Sequence, residues 1–330
     1  MQYRNLDAVD VAKFVMAFAV IAIHAGCAIF SRSSWPDAVE WFIRLAVPFF
    51  FITSGYLTAR SSATLAPAEK CASLRRRSGR VMRLFCIWLL IYLPISAAFY
   101  YFFSHYNLRE AVADYAKSVV FGGESPLAWP LWYLYSLSIV LFLCSLACRS
   151  NKTQGLLFIF FLAAMLVNSI DTNLFQQGLG RKALIGFDML TSRTLGGGVY
   201  VAAGMLLWRW QRLRGSALAG VLLLGASVGA FLLCPVVSPL LGGCGVFILA
   251  CCTRLPESAV YQRLRALSMW IYYIHMIVLF PIFVLIKTSG VYPPLGQTYL
   301  YASVMSLLSA LLLSTLSSMP RLKFLNRLVK

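Results

Sequence analysis

The chain has 330 residues, of which 60% are hydrophobic and only 12% are charged, and its mean hydropathy is +0.76. This composition excludes a soluble globular protein. The formal net charge of +18 does not indicate a nucleic-acid partner, because the basic residues lie in short loops between apolar runs, where they orient a membrane protein. The nine cysteines form no Cys-X-X-Cys pair, so the sequence predicts no metal site.

The apolar runs are long and continuous, which is typical of membrane helices and not of a β-barrel, whose strands alternate with a period of two. We predict ten spans, at approximately 8–29, 38–58, 84–103, 129–148, 155–170, 193–209, 216–233, 237–252, 267–287 and 298–318. With this count, most of the 29 Lys and Arg residues fall on the side of the N-terminus. The sequence therefore predicts an all-α, polytopic membrane helical bundle, one domain over 1–330, with both termini cytoplasmic.

Three connections between the predicted spans are long. Residues 59–83 form an inside loop dominated by arginine. On the outside, the loop 104–128 contains three acidic residues and is predicted to include a short helix at the membrane interface, and the segment 168–192 is polar. The arginine-rich loop concentrates positive charge on the predicted cytoplasmic face.

The first predicted span combines an apolar run with three polar groups, Asp10, Lys13 and His24. At ~100° per residue, Lys13 and His24 return to within ~20° of each other on a helix, about 16 Å apart along its axis. Asp10 lies three residues before Lys13, so it shares that side. Polar groups in lipid are costly and normally face a cavity or a partner, so this face is predicted to point into the bundle.

Five short motifs occur in a fixed order along the chain. They are Lys13 followed after ten residues by His24, Arg44 to Leu57 ending in Ser54-Gly55-Tyr56-Leu57, Arg80-X-X-Arg83, Pro130-Leu-Trp132-Tyr133-Leu, and Tyr272-X-X-His275. Together they resemble the membrane acyltransferase-3 family. Lys13 stands where Arg is commoner, and the Trp-Ser-Leu…Glu-Glu stretch of the branch that modifies O-antigens is missing. The likeness is therefore closest to the branch with the membrane domain of vancomycin-resistance serine racemases and the enterobacterial-common-antigen acetyltransferase.

The resemblance implies an acyltransferase of the bacterial cytoplasmic (inner) membrane. Its donor would be acetyl-CoA or another acyl-CoA, and its acceptor a hydroxyl group of a cell-envelope glycan or related compound. His24 would be the general base or acyl relay, since an imidazole titrates near neutral pH, and Lys13 and Asp10 would support it. The alternatives are a histidine hydrogen-bonded inside the bundle and an ion pair at the membrane interface.

The arginines at the start of the third predicted span suit the phosphates of coenzyme A, because guanidinium groups give forked, permanently charged donors. The predicted cofactor-binding residues are Arg75, Arg76, Arg77, Arg80 and Arg83. The alternative is that these residues orient the protein and bind anionic lipid. Arg80 and Arg83 are three residues apart and share one helix face, which favours the first interpretation for this pair.

Five further residues are predicted to bind substrate: Ser54, Trp132, Tyr133, Tyr272 and His275. The alternatives are helix packing at Ser54, an ordinary aromatic belt at Trp132 and Tyr133, and a structural hydrogen bond at His275. Two other functions stay open. The same charged face suits a transporter or flippase of a small polar solute such as serine, and a purely structural scaffold would have little use for it.

Overall fold

The computed structural model describes residues 6–28, 34–104, 106–147, 155–163 and 196–329. Within these ranges the chain forms helices and no β-strand, which confirms the predicted all-α membrane bundle. The helices are α1 (Asp7–Ala28), α2 (Asp37–Arg44), α3 (Ala46–Ser61), α4 (Pro67–Phe103), α5 (Leu108–Lys117), α6 (Trp132–Leu146), α7 (155–163), α8 (Gly196–Arg209), α9 (Ala217–Leu233), α10 (Ser238–Cys252), α11 (Ala259–Ser289) and α12 (Leu295–Ser318).

Six helical stretches in the described part of the chain are long and apolar enough to cross a membrane, and α9 and α10 are shorter apolar helices. The polar segment 168–192 and the end of the predicted span 155–170 lie outside the described residues. The predicted total of ten spans and the cytoplasmic position of both termini therefore stay predictions.

The prediction of a loop over 59–83 is wrong for most of its length, because α4 already begins at Pro67. Proline is favoured in the first helical turn, because the N–H group that it lacks would have no hydrogen-bond acceptor there. No further proline interrupts the helix before Pro94. Ser78 on α4 also packs against Ser138 on α6, each hydroxyl donating to the other residue's carbonyl at 2.8 and 2.9 Å. At 37 residues α4 is roughly 55 Å long, well beyond the ~30 Å hydrocarbon core.

The second predicted span, 38–58, consists of two helices that meet at Leu45. Pro48 lies four residues after Arg44, and a proline ring collides with the carbonyl four residues before it. The short helix predicted within 104–128 is present as α5, which begins with a capping box between Asn107 and Glu110.

Helices α1 and α11 lie side by side and run in the same direction. Asp10 meets Arg265 near their first turns, and His24 meets His275 further along. Helix α2 packs beside the second half of α1, so α3 returns toward the start of α1. One end of the bundle thus collects the starts of α1, α4, α9 and α11 and the ends of α3, α8 and α10. We call it the basic end; its charged residues include Asp10, Lys13, Arg60, Lys70, Arg209, Arg214 and Arg265.

Helices α3 and α8 cross in backbone contact. A Cβ atom added at Gly55 would lie 2.0 Å from the carbonyl oxygen of Val201, and one added at Gly204 would lie 2.0 Å from that of Ile52. Tyr56 then stacks edge-on against Trp208, with ring centroids 5.6 Å apart. Only glycine permits this approach, which holds α3 in place beside the candidate site.

Candidate functional site

Two histidines face each other in the interior of the bundle. The ring centroids of His24 on α1 and His275 on α11 lie 5.2 Å apart. His275 is fully buried (0% exposed), and its Nδ1 lies 3.0 Å from the backbone carbonyl oxygen of Ile271. Since a carbonyl can only accept, Nδ1 carries the proton in the neutral ring, and Nε2 presents a lone pair. Nε2 has no hydrogen-bond partner among the described residues.

A line of aromatic hydroxyl groups runs from the histidine pair to α3. The Tyr272 ring lies 6.5 Å from that of His275 and 5.8 Å from that of Tyr133. The Tyr133 hydroxyl is 2.9 Å from the Ser54 hydroxyl, and the Tyr272 hydroxyl donates to the carbonyl of Pro130 at 2.5 Å. The structure thus brings together Ser54, Tyr133, Tyr272 and both histidines, which the sequence separates by more than 250 residues.

Trp129 is a member of this group that the sequence analysis missed. Its ring stacks on His24 with centroids 6.4 Å apart and packs edge-on against Phe283 at 5.9 Å. The signal available in the sequence was its place in the aromatic run Trp-Pro-Leu-Trp-Tyr, but nothing local shows that this ring, rather than Trp132, turns toward His24. Trp132 lies instead against Phe51, at 5.8 Å.

The segment that carries Trp129 is a buried turn between the π-helical turn Ser118–Gly122 and α6. Gly122 to Ser125 are buried, as are Leu127 and Ala128. Leu127 is fully buried with φ +61°, a left-handed conformation that costs a non-glycine residue ~1–2 kcal/mol. Ser96 on α4 bonds both the Ser125 hydroxyl, at 3.0 Å, and the Pro126 carbonyl, at 2.8 Å. Strain of this kind persists where the surroundings fix a functional geometry.

Gly123 in this turn offers a test of how tightly the segment is held. We expect Gly123→Ala to lower the melting temperature more than Gly290→Ala does. Both glycines have positive φ, +63° and +68°, so both substitutions carry the same conformational cost. A Cβ at Gly123 would also lie 2.4 Å from the Tyr135 ring, whereas nothing lies within 4 Å of one at Gly290. Thermal unfolding of the two variants in detergent measures the difference, and equal melting temperatures would contradict the tight packing.

The predicted pair of Asp10 and Lys13 lies apart from the histidines, at the basic end. Lys13 Nζ is 3.2 Å from Asp10 Oδ1, and Arg265 Nη1 is 3.7 Å from Asp10 Oδ2. Asp10 is buried, and its carboxylate lies close to two cations, one on α1 and one on α11. Arg265 lies just outside the predicted span 267–287, and it precedes His275 by ten residues much as Lys13 precedes His24 by eleven. At 1.5 Å per residue the ion cluster lies roughly 15 Å from the histidine pair.

The predicted cofactor-binding arginines lie along the outer surface of the first half of α4. Arg75, Arg76, Arg80 and Arg83 are exposed, and Arg77 is half-buried and donates to the hydroxyl of Ser61. Arg83, the last of them, lies five residues before Trp88, whose ring stacks on that of Tyr273 at 4.5 Å, two residues before His275 on α11. They occupy the stretch of α4 between the basic end and the level of the histidines.

The family of the chain follows from its sequence as a whole. A family model described as an acyltransferase domain matches residues 6–319. The chain belongs to the acyltransferase-3 family. This confirms the resemblance drawn from the five motifs and, together with the apolar helices, makes the chain a multi-pass membrane protein of an acyltransferase family.

Among curated relatives of this acyltransferase-3 protein is an Enterococcus faecalis protein named amino-acid racemase, which is 29% identical over 134 residues. The match covers 39% of this chain and 17% of the relative, so the chain corresponds to a small part of that protein. The relative agrees with the predicted branch of the family. No solved structure matches the chain.

Proposed function

We propose that this acyltransferase-3 protein transfers an acetyl group from acetyl-CoA to a hydroxyl group of a cell-envelope glycan or related compound. The observation that carries the proposal is the contact between the half-buried His24 and the fully buried His275. Aromatic and hydroxyl side chains lie on one side of this pair, and the ion cluster at the basic end lies roughly 15 Å away. Acyl transfer to an alcohol needs a base at the hydroxyl, and the pair supplies one.

The proposed reaction moves one proton and one acyl group. His24 takes the proton of the acceptor hydroxyl as its oxygen attacks the thioester carbonyl carbon. The C–S bond then breaks, the oxygen keeps the acetyl group, and the thiolate leaving group of coenzyme A takes up the proton. His275 offers the lone pair of Nε2 beside His24, where the His24 ring or the acceptor hydroxyl can donate to it.

The surroundings of the pair suit a sugar hydroxyl as acceptor. Trp129 gives a flat apolar face beside His24, and Tyr133 and Tyr272 give rings with hydroxyl groups. Sugars combine apolar C–H faces with hydroxyl groups, so this mixture of flat rings and polar tips can hold one and orient it. Lys13 and Asp10 would set the polarity of the interior at the basic end, and Arg80 and Arg83 would guide the coenzyme.

The direct test uses purified protein in proteoliposomes with acetyl-CoA carrying a labelled acetyl group. We expect release of free coenzyme A thiol that depends on an added hydroxyl acceptor, with label appearing on that acceptor as a base-labile ester. A panel of lipid-linked and soluble envelope sugars identifies the acceptor class. The proposal would be contradicted if no acceptor of the panel gave thiol release or a labelled product.

A second candidate is the transport of a small polar solute such as serine through the same polar interior. The observation that favours it is the match to the protein named amino-acid racemase, because that name points to an amino acid as the solute. Counterflow of labelled serine into the same proteoliposomes, without acetyl-CoA and without thiol release, would support transport and count against acyl transfer.

A further inference from the structure

A 3₁₀ helix of nine residues, Pro320–Leu328, begins two residues after the end of α12. Side chains three residues apart are eclipsed in a 3₁₀ helix, so they form rows along its length. One row is apolar and half-buried, and it consists of Leu322, Leu325 and Leu328. Another row is exposed and consists of Arg321, Phe324 and Arg327, with the exposed Lys323 beside it. These last four residues form a basic and aromatic surface, which we call the outer face.

The bundle holds this helix in one orientation. A 3₁₀ helix of nine residues is uncommonly long, so packing must stabilise it. Leu325 and Leu328 pack against the hydrophobic core between α4 and α11. The indole N–H of Trp88 on α4 donates to the Leu328 carbonyl at 2.6 Å, and the Asn326 side-chain amide donates to the Ser317 carbonyl at 2.8 Å. The outer face therefore points away from the bundle in a fixed direction.

Both attachment points of the helix lie near the ends of apolar stretches. Five residues join α11 to α12, so α12 runs antiparallel to α11 and returns to the basic end. Ser317 belongs to the last turn of α12. Trp88 lies five residues after the exposed Arg83, near the start of the apolar part of α4. The outer face is thus held where apolar helix surfaces give way to charged ones, which in a multi-pass protein is the level of the lipid headgroups.

The three cations of the outer face are not paired with carboxylates of the protein. The chain contains no Asp or Glu from residue 258 to residue 330. The acidic residues at the basic end are Asp7, Asp10, Glu69 and Glu257. Asp10 is shared between Lys13 and Arg265. In the part of the chain that the structure describes, no ion pair joins any of these four acids to a cation of the outer face.

We propose that the outer face binds the headgroups of anionic phospholipids. Arg321, Lys323 and Arg327 contact the lipid phosphates, to which guanidinium groups offer forked, permanently charged donors. The Phe324 side chain is 56% exposed and inserts its ring at the boundary between headgroups and acyl chains. An aromatic ring between two arginines suits a lipid surface better than a soluble phosphate, because a soluble phosphate has no apolar part that could cover the ring.

The test titrates the purified whole protein in detergent with radiolabelled phosphatidylglycerol and, separately, with radiolabelled phosphatidylcholine. We expect phosphatidylglycerol to bind at least about fivefold more tightly, and the triple variant Arg321→Gln/Lys323→Gln/Arg327→Gln to bind it about tenfold or more weakly than the unmodified protein. The preference should largely disappear at about 1 M salt, where the Debye length is about 3 Å. All three positions are exposed, and Arg321→Gln and Arg327→Gln alone repeat the test if the triple variant does not fold.

The matched control removes the same charge from three other exposed positions at the basic end, in the variant Arg212→Gln/Arg254→Gln/Arg263→Gln. It should change the affinity for phosphatidylglycerol less than about twofold. Equal losses in the two triple variants, or equal binding of the two lipids by the unmodified protein, would overturn the site.

Two further measurements concern the ring and a soluble ligand. Phe324→Ser keeps every charge and should weaken the binding of both lipids about threefold or more, whereas unchanged affinities would refute the insertion of the ring. Displacement of bound phosphatidylglycerol by excess coenzyme A would assign the outer face to the coenzyme and overturn the lipid site. None of these measurements requires acetyl transfer, so the lipid site and the proposed enzymatic function stand or fall separately.

Discussion

We expect His24→Ala to reduce acetyl transfer by roughly 10²- to 10⁴-fold, the usual contribution of a positioned general base. The His24 ring on α1 contacts the rings of His275 and Trp129, so the substitution removes the base and leaves these two neighbours in place. The measurement is the initial rate of labelled acetyl transfer in proteoliposomes, normalised to folded protein by size-exclusion chromatography.

The matched control is His105→Ala, since His105 is the one histidine of the three outside the pair and lies in a predicted outer loop. This variant should keep the rate of the unmodified protein within about twofold, the range of a surface substitution. His275→Ala should also lower the rate, and His275→Gln should restore part of it if the ring acts by accepting a hydrogen bond. Full activity of a folded His24→Ala protein would end the assignment of this residue as the base.

The second large effect concerns folding. Gly204→Ala should destabilise the protein by at least about 3 kcal/mol, at or beyond the upper end of ordinary overpacking, and should prevent recovery of a monodisperse protein. The added methyl group would lie 2.0 Å from the carbonyl oxygen of Ile52, and the obstacle is backbone, which no side-chain rotation can move aside. Helices α3 and α8 would have to separate, carrying Ser54 away from Tyr133.

The control substitutions are Gly225→Ala and Gly229→Ala on α9, where nothing lies within 4 Å of an added Cβ. Alanine is the better helix former, so both variants should be recovered as well as the unmodified protein or better. Recovery and melting temperature in detergent compare the three variants. A Gly204→Ala protein with the same melting temperature as the α9 controls would show that α3 and α8 are not in backbone contact at this point.

The sequence was informative wherever the physics is local. Apolar runs define helices by their length alone, and the spacing of Asp10, Lys13 and His24 follows from helical geometry. The extension of α4 to Pro67 was missed because its first turns are charged, and a charged helix beyond the membrane has the same composition as a loop. The short break at Leu45 is not evident from the sequence, because a single proline in a long apolar run is also compatible with one continuous or kinked helix.

The contacts between distant parts of the chain were beyond local reasoning. Arg265 completes the ion cluster only because α11 lies beside α1. The sequence around Arg265 does not indicate that Asp10 is its partner. Trp129 reaches His24 through a buried turn whose left-handed Leu127 no propensity favours. Four of the five motifs nevertheless include residues at or beside the histidine pair, whereas Arg80 and Arg83 of the remaining motif lie on the outer surface of α4.

The parallel packing of α1 and α11 determines when His24 and His275 can come together during synthesis. His24 and His275 lie 251 residues apart in the sequence, so the ribosome must produce that length and the membrane must receive it before the two rings can meet. Shorter nascent chains would contain His24 without its partner. The histidine pair is therefore complete only when α11 takes its place beside α1.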